Sequence, residues 1–566
     1  MAIGGGHDAP SPAAKVYPQS VMQSNFWGRS PAWLCLASLV ASSFAETPSP
    51  SPPQAEPTLR VTTRLVEVSV IVQDRAGEPA TDLTRDDFVV LDAGREQSIS
   101  VFAKESAAAP RAPSSPLPPH TFSNRLEQTA AAPTSATVIL LDGLNTRFAD
   151  QPYARQQIVE FLEQLQPQDC VALYALGQGL RVVHDFTREP RSLLAALARE
   201  GARLSPALLE SEAEEPGTGW GEFDAWMGEV NRNVAERYRA DRALRTIRSL
   251  LAIVNHLERL PGRKNLIWVA GNFPAWFNRP ALATGEKLKP EPGNFSVEIE
   301  RAARALNNAN VAIYPVDARG LVAPAEFSPE RASISRELPG ASHGDVGSML
   351  ELAERTGGRA FYHRNDIRRA LRRAVDDARV TYVLGYYPSH GKWNGEFRAL
   401  QVRVKRPGLQ VRHRRGYFAL PDEPGDEAHR RAVLDAAMWS PIDASRLGLT
   451  VRALPAGNAL ELELAIDLRD LALRQQDGKW MGTLDLMLVQ LSADARNLKG
   501  VSHVVNLQLN PETYRVARER QAVVLTERLG IVSGATLLRV LARDASSGAL
   551  GSVSIPLARL SPGRQP

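Results

Sequence analysis

Short apolar runs alternate with segments of helical period from residue 136 to about 380. The runs at 136–142, 171–176, 265–270 and 311–316 are almost wholly apolar, the pattern of strands covered on both faces, and 180–186 reads as a further strand. Between them lie amphipathic segments. Ile158, Phe161, Leu162 and Leu165 share one face over 152–165. Leu244, Ile247, Leu250, Leu251, Val254 and Leu257 line another over 234–259, which stops at Pro261-Gly262. Glu189-Pro190 starts a further helix, with Pro at an early position. Helices at 296–309, 346–355 and 365–379 complete the series. This alternation predicts a mostly parallel, doubly wound, Rossmann-like α/β sheet with helices on both faces. The strand pattern at 381–387 is expected to end that sheet.

The flanks read differently. Alternating positions at 65–72, with strand patterns at 88–91 and 98–102, predict a small β domain over 59–105. Runs at 460–466, 484–489 and 537–542 predict a β-sandwich over 448–566, joined by a helical or mixed connector at 421–447. The Pro/Ser stretch 46–58 and the Ala/Pro stretch 106–134 read as linkers. Residues 204–232 and 273–295 lack periodicity and read as insertions. A chain of 566 residues is too long for one core, so this multidomain reading is also the one its length requires.

Residues 32–45 (AWLCLASLVASSFA) form an apolar stretch of export-signal length, behind Arg29 and ending in the small-x-small site Ser43-Phe-Ala45. Residues 1–45 are therefore expected to be a signal peptide, with Met22 giving the more ordinary start. The mature chain is expected to be periplasmic, cell-surface or secreted, with no transmembrane span. Cleavage would remove Cys35 and leave Cys170 alone, so no internal disulfide is expected. Cys170 opens a buried strand and reads as an inert core thiol. The formal charge of +4 is small, and Lys and Arg are interspersed with acids, which argues against a nucleic-acid partner.

Candidate chemistry gathers where the first parallel strand ends, at Asp142-Gly-Leu-Asn145-Thr146. Ligands of open α/β sheets bind beyond strand carboxyl ends, and this cluster of oxygens is of the kind a Mg²⁺-like ion prefers. The same residues could instead cap the following segment and satisfy its backbone groups. Gly340-Ala-Ser342-His-Gly344 matches the nucleophile-elbow string, but the polar stretch before it ends in Pro339 rather than forming the buried strand an elbow needs. His184 and Asp185 are adjacent on a strand and face opposite sides. A serine hydrolase using Ser342 is the alternative from another functional class; a metal-free structural scaffold is a third reading.

The central region resembles the von Willebrand factor type A domain. Over about residues 59–420 the chain is similar to the exported bacterial proteins termed VWFA-related, the Acidobacteria-type group. The stretches that carry this resemblance are Leu141-Asp-Gly-Leu-Asn-Thr146, Tyr153-Ala-Arg-Gln-Gln157, Leu260-Pro-Gly-Arg-Lys-Asn-Leu-Ile-Trp268, Ala312-Ile-Tyr-Pro-Val-Asp-Ala-Arg-Gly320 and 381–388. The resemblance implies a type A-like domain over 135–420 and a degenerate metal-ion-dependent adhesion site. Asp142 matches the leading Asp of the pattern Asp-x-Ser-x-Ser and Thr146 its second Ser, while Leu144 replaces the first Ser and cannot ligate. Asn272 stands where a later Asp is wanted, and the later Thr has no clear match, since Thr246 lies mid-helix. The implied ligands for Mg²⁺ or a similar divalent cation are thus Asp142, Thr146 and Asn272. Asp317 ends another strand but is not predicted by the family pattern. The expected function is non-enzymatic binding of a protein or cell-envelope partner.

Overall fold

The computed structural model describes residues 65–106, 117–125, 136–200, 241–260, 263–272, 311–319, 341–389, 393–419, 427–494 and 496–560, with five residues between 302 and 310. The stretches expected to be an export signal (1–45), a linker (46–58) and insertions (204–232 and 273–295) lie outside the described residues. Within these, the chain folds as a sheet-rich multidomain protein.

The central sheet is built from β6 (Ala136–Asp142), β7 (Val171–Leu176), β8 (Leu180–Thr187), β9 (Lys264–Ala270) and β10 (Val311–Asp317), in the order β10-β9-β6-β7-β8. Four strands are parallel, and β8 runs antiparallel at the edge. Phe361 adds a parallel bridge beside β10 at Val316. The helices are α1 (Gln151–Glu163), α2 (Pro190–Glu200), α3 (241–257), α4 (Ala341–Thr356) and α5 (Ile367–Asp376).

Strand side chains alternate between two cores, which explains the unbroken apolar runs. Val138, Leu140, Leu266, Trp268 and Ile313 pack with Ile247, Leu250 and Leu257 of α3 and with Met349 and Leu352 of α4. Ile139, Ile267, Val269 and Tyr314 face the other way, onto α1, α2 and α5. The central sheet is thus covered by helices on both faces.

A pair of glycines ends α4. Gly357 takes φ +76°, a left-handed helix-terminating conformation, and the Gly358 amide donates to Ala353 O at 2.8 Å. Gly358 also lies against β10: a Cβ built there would sit 1.8 Å from Ile313 O. Gly358→Ala is expected to cost about 1–3 kcal/mol through this overpacking, read as a lower denaturant midpoint. A neutral result would contradict the close approach.

The strand at 381–387 does not end the central sheet. It is β11 (Val380–Tyr386), and it pairs antiparallel with β1 (Val66–Gln73) and β4 (Ile99–Ser106). The order β13-β1-β11-β4 includes β13 (Gln410–Arg412). A second sheet, β14-β12-β2-β3, is made by β2 (Phe88–Asp92), β3 (Arg95–Gln97), β12 (Phe397–Val404) and β14 (Gly416–Phe418). Val68, Val70, Tyr382, Leu384, Val402 and Tyr417 lie in the core they share. The small β unit thus takes strands from both sides of the doubly wound domain in the sequence. An apolar run reads alike whether its neighbours are parallel or antiparallel, so the pattern alone does not decide which sheet the strand joins.

The C-terminal part is a two-sheet sandwich with a common core. One sheet joins β20 (Ala522–Gly530), β16 (Ala459–Asp467), β15 (Leu449–Ala456) and β5 (Thr121–Ser123) in that order, and β5 comes from the stretch expected to be linker. Buried Asn124 fixes that segment. Its Nδ2 donates to Ala444 O and Leu447 O, and its Oδ1 accepts from Leu449 N at 2.8 Å. In the other sheet β18 (Lys479–Leu491) pairs with β17 (Arg474–Gln476), β19 (Asn497–Leu509) and β21 (Leu537–Asp544). Before the sandwich lies helix α6 (Glu427–Met438). No helix among the described residues is long and apolar enough to cross a membrane.

Candidate functional site at the carboxyl end of the parallel sheet

β6 is the first strand of the central sheet in sequence yet lies in its middle. The chain leaves it toward β7 and returns on its other side as β9, so the strand order reverses between β6 and β9. In open α/β sheets the ligand crevice lies beyond the strand carboxyl ends at such a reversal. Asp142 to Thr146 and Gly271-Asn272 occupy this place.

Hydrogen bonds hold these residues together. Asp142 Oδ1 accepts from the Asn145 amide at 2.9 Å. Its Oδ2 accepts from Asn145 Nδ2 at 2.7 Å and from Trp268 Nε1 at 2.8 Å. Asn145 Nδ2 also donates to Thr246 Oγ1 on α3 at 2.9 Å. Thr146 Oγ1 donates to Asp142 O at 2.5 Å and accepts from the Gly271 amide at 2.9 Å. The Asn272 amide donates to Asn145 O at 2.8 Å. The end of β6 is thereby bound to the loop after β9 and to the middle of α3.

The cluster is sealed. Asp142, Asn145, Thr146 and Thr246 are all buried. Burial raises the Asp142 carboxyl to about 6, against the opposing effect of the hydrogen bonds from Asn145 and Trp268. Leu144, at the position where the resemblance wants a ligating Ser, is buried in the core beneath α3.

A divalent cation does not fit this arrangement. A carboxylate offers about four lone-pair sites, and three are taken by Asn145 and Trp268, with the Leu144 amide also acting on the group. The Thr146 hydroxyl proton is committed to Asp142 O, and Asn272 is exposed and joined to the cluster through its backbone. The other strand-end carboxylate, Asp317, is held by Arg319 through both oxygens, at 3.0 and 2.9 Å. No group of three His, Cys, Asp or Glu suited to a metal occurs among the described residues. The structure thus brings Asp142 and Thr146 together and leaves the Asn272 side chain facing solvent.

Sequence reasoning missed Trp268 and Thr246 as members of the cluster. Both carried a signal. An indole N–H on a buried strand needs an acceptor, and Thr246 falls on the apolar stripe of α3, between Ala243 and Leu250. Outside the seal the chain presents Arg147, Phe148 and Asn272. Phe148 is 50% exposed on a loop whose base is pinned by the bonds above.

The other residues singled out by sequence stand apart. Ser342 lies in the first turn of α4, within the helix itself. His184 Nδ1 bonds to the carbonyl of its neighbour Asp185. Cys170 is buried, and desolvation pushes its thiol to about 11, as an inert core thiol requires.

No family model matches the chain, and no curated protein does. Among solved structures it is similar to BatB from Bacteroides thetaiotaomicron, at 14% identity over 43% of this chain and 98% of that one, with a TM-score of 0.22. It is also similar to a von Willebrand factor type A protein from Catenulispora acidiphila, at 10% identity over 81% and 73% of the two chains, TM-score 0.22. A third is the N-terminal part of the type V pili tip protein Mfa5 from Porphyromonas gingivalis, at 10% identity over 81% and 77%, TM-score 0.22. The structural neighbours therefore include a type A domain, but likenesses this shallow carry no argument about what this chain does.

Proposed function

We propose that this is an exported, non-enzymatic binding protein. Its type A-like domain presents the carboxyl edge of the parallel sheet to a protein or cell-envelope partner without a metal. The observation that carries this reading is the sealed strand-end cluster at the point where strand order reverses. It occupies the usual ligand position of the fold with internal hydrogen bonds, and it holds exposed Phe148 on a braced loop. An aromatic anchor on a rigid base suits protein contact, because little side-chain or loop entropy is lost on binding. The flanking β domains would orient this edge.

The test is binding of the full chain to envelopes of the source organism, with and without EDTA. Saturable binding unchanged by EDTA and weakened about tenfold or more by Phe148→Ala is expected, since central aromatic anchors contribute about 2 kcal/mol or more. Binding that EDTA abolishes and Mg²⁺ restores would overturn the metal-free reading. Equal binding by the variant would remove Phe148 from the surface.

A further inference from the structure

A cavity of about 530 Å³ opens between α3, α6 and the C-terminal sandwich. Its volume lies in the range of small-molecule sites, and junctions between domains are where such sites concentrate. Its walls are largely apolar, with Leu251 and Ala252 from α3, Ala436 and Trp439 from α6 and the turn after it, and Ile442 beyond. Trp439 is 51% exposed, an uncommon cost for the largest apolar side chain unless something covers it.

Charge is placed unevenly in this cavity. Arg245 and Arg248, nearly one turn apart on α3, line one side. Arg245 is occupied by Asp241 and by Gln178 O. Exposed Arg248 has neither an ion pair nor a hydrogen bond among the described residues. Arg539 from β21 (Leu537–Asp544) also lines the cavity and is 2% exposed. Its terminal nitrogens donate to Ser554, Ile442 O and Ser552, and Asp443 lies 3.5 Å away, while its buried Nε has no partner. Asp435 on α6 is the carboxylate that lines the cavity.

We propose that this cavity is a binding site for an apolar or aromatic carboxylate, such as the free C-terminal residue of a short peptide. The carboxylate would pair with Arg248, whose planar fork matches two oxygens, and the apolar body would cover Trp439. A donor on the ligand, such as a peptide N–H, would meet Asp435. The site shares no lining residue with the strand-end cluster and does not depend on the function proposed for it.

The full chain should be titrated with N-acetyl-Ala-Ala-Phe as free acid and as amide, and with 3-phenylpropionate, following tryptophan fluorescence and binding heat. The acid is expected to bind saturably, about tenfold or more tighter than the amide, because a charge-assisted pair is lost in the amide. Arg248→Gln should erase that difference, and Trp439→Phe should remove the fluorescence change while leaving calorimetric binding measurable. Tighter binding of the peptide acid than of 3-phenylpropionate assigns the ligand to peptide ends; the reverse assigns it to small organic acids. Absence of saturable binding by either acid, equal affinity of acid and amide, or an unaffected Arg248→Gln variant would overturn the proposal.

Discussion

Asp467→Ala is expected to cost about 3–5 kcal/mol of stability, the scale of breaking a buried ion pair from one side. Asp467 ends β16 (Ala459–Asp467), and its side chain is fully buried. Its Oδ2 receives Arg259 at 2.9 Å, Arg469 at 2.8 Å and Arg125. Arg125 follows β5, and Arg259 lies just past α3, so one carboxylate joins three separate stretches of chain. Arg259 also reaches Asp470, which accepts from the Gly448 amide at 2.8 Å. Beside this joint, Ser445 Oγ donates to His256 O at 2.7 Å, fastening the end of α3 to the start of the sandwich. Removing Asp467 leaves two mostly buried guanidiniums facing each other. Arg469, more than half exposed, serves as the control: Arg469→Ala should cost about 0–1 kcal/mol. Denaturant midpoints measured side by side decide the matter. Equal costs for the two variants would show that the joint is a surface feature.

The second large effect concerns Asp142. Asp142→Asn keeps the volume but replaces one acceptor oxygen with a donor. Either orientation sets that donor against Trp268 Nε1 or the Asn145 amide, at a cost of about 1–3 kcal/mol at neutral pH. The variant should also change the pH dependence. The folded carboxyl titrates near 6, above its ordinary value of 3.8. Between these values the native state holds a proton that the unfolded chain has released, so this group's contribution to stability falls as pH rises from about 4 to 6. Wild-type stability relative to Asp142→Asn should therefore decline by about 3 kcal/mol across that window, at 1.36 kcal/mol per unit. Chemical denaturation of both proteins at pH 4, 5, 6 and 7 measures it. A constant difference would mean that the carboxyl is not desolvated.

The doubly wound core was legible because both faces of its sheet are covered. Two-sided burial writes continuous apolar runs into the strands and single stripes into the helices, and here the two alternate. β11 was legible as a strand but not in its partners, since Tyr382, Leu384 and Tyr386 satisfy an apolar pattern in either kind of sheet. β5 was invisible. Three residues carry no period, and what holds them is the side chain of Asn124, bonded to residues more than 300 positions away. The candidate site was half legible. Asp142, Asn145 and Thr146 stand together in sequence, whereas Thr246 and Trp268 join them from about a hundred residues further on. Those two residues turn a set of oxygens that suggests a metal into a closed hydrogen-bonded cluster, and only the fold brings them there.

The central claim is that the strand end works closed and without metal. The most direct measurement is calorimetric titration of Mg²⁺ and Mn²⁺ into the full chain, with Asp142→Asn beside it. No saturable heat is expected up to about 1 mM, the weak end of dedicated oxygen-ligand sites. Saturable binding in the wild type, lost in the variant while circular dichroism shows an intact fold, would contradict the account and restore Asp142 as a metal ligand.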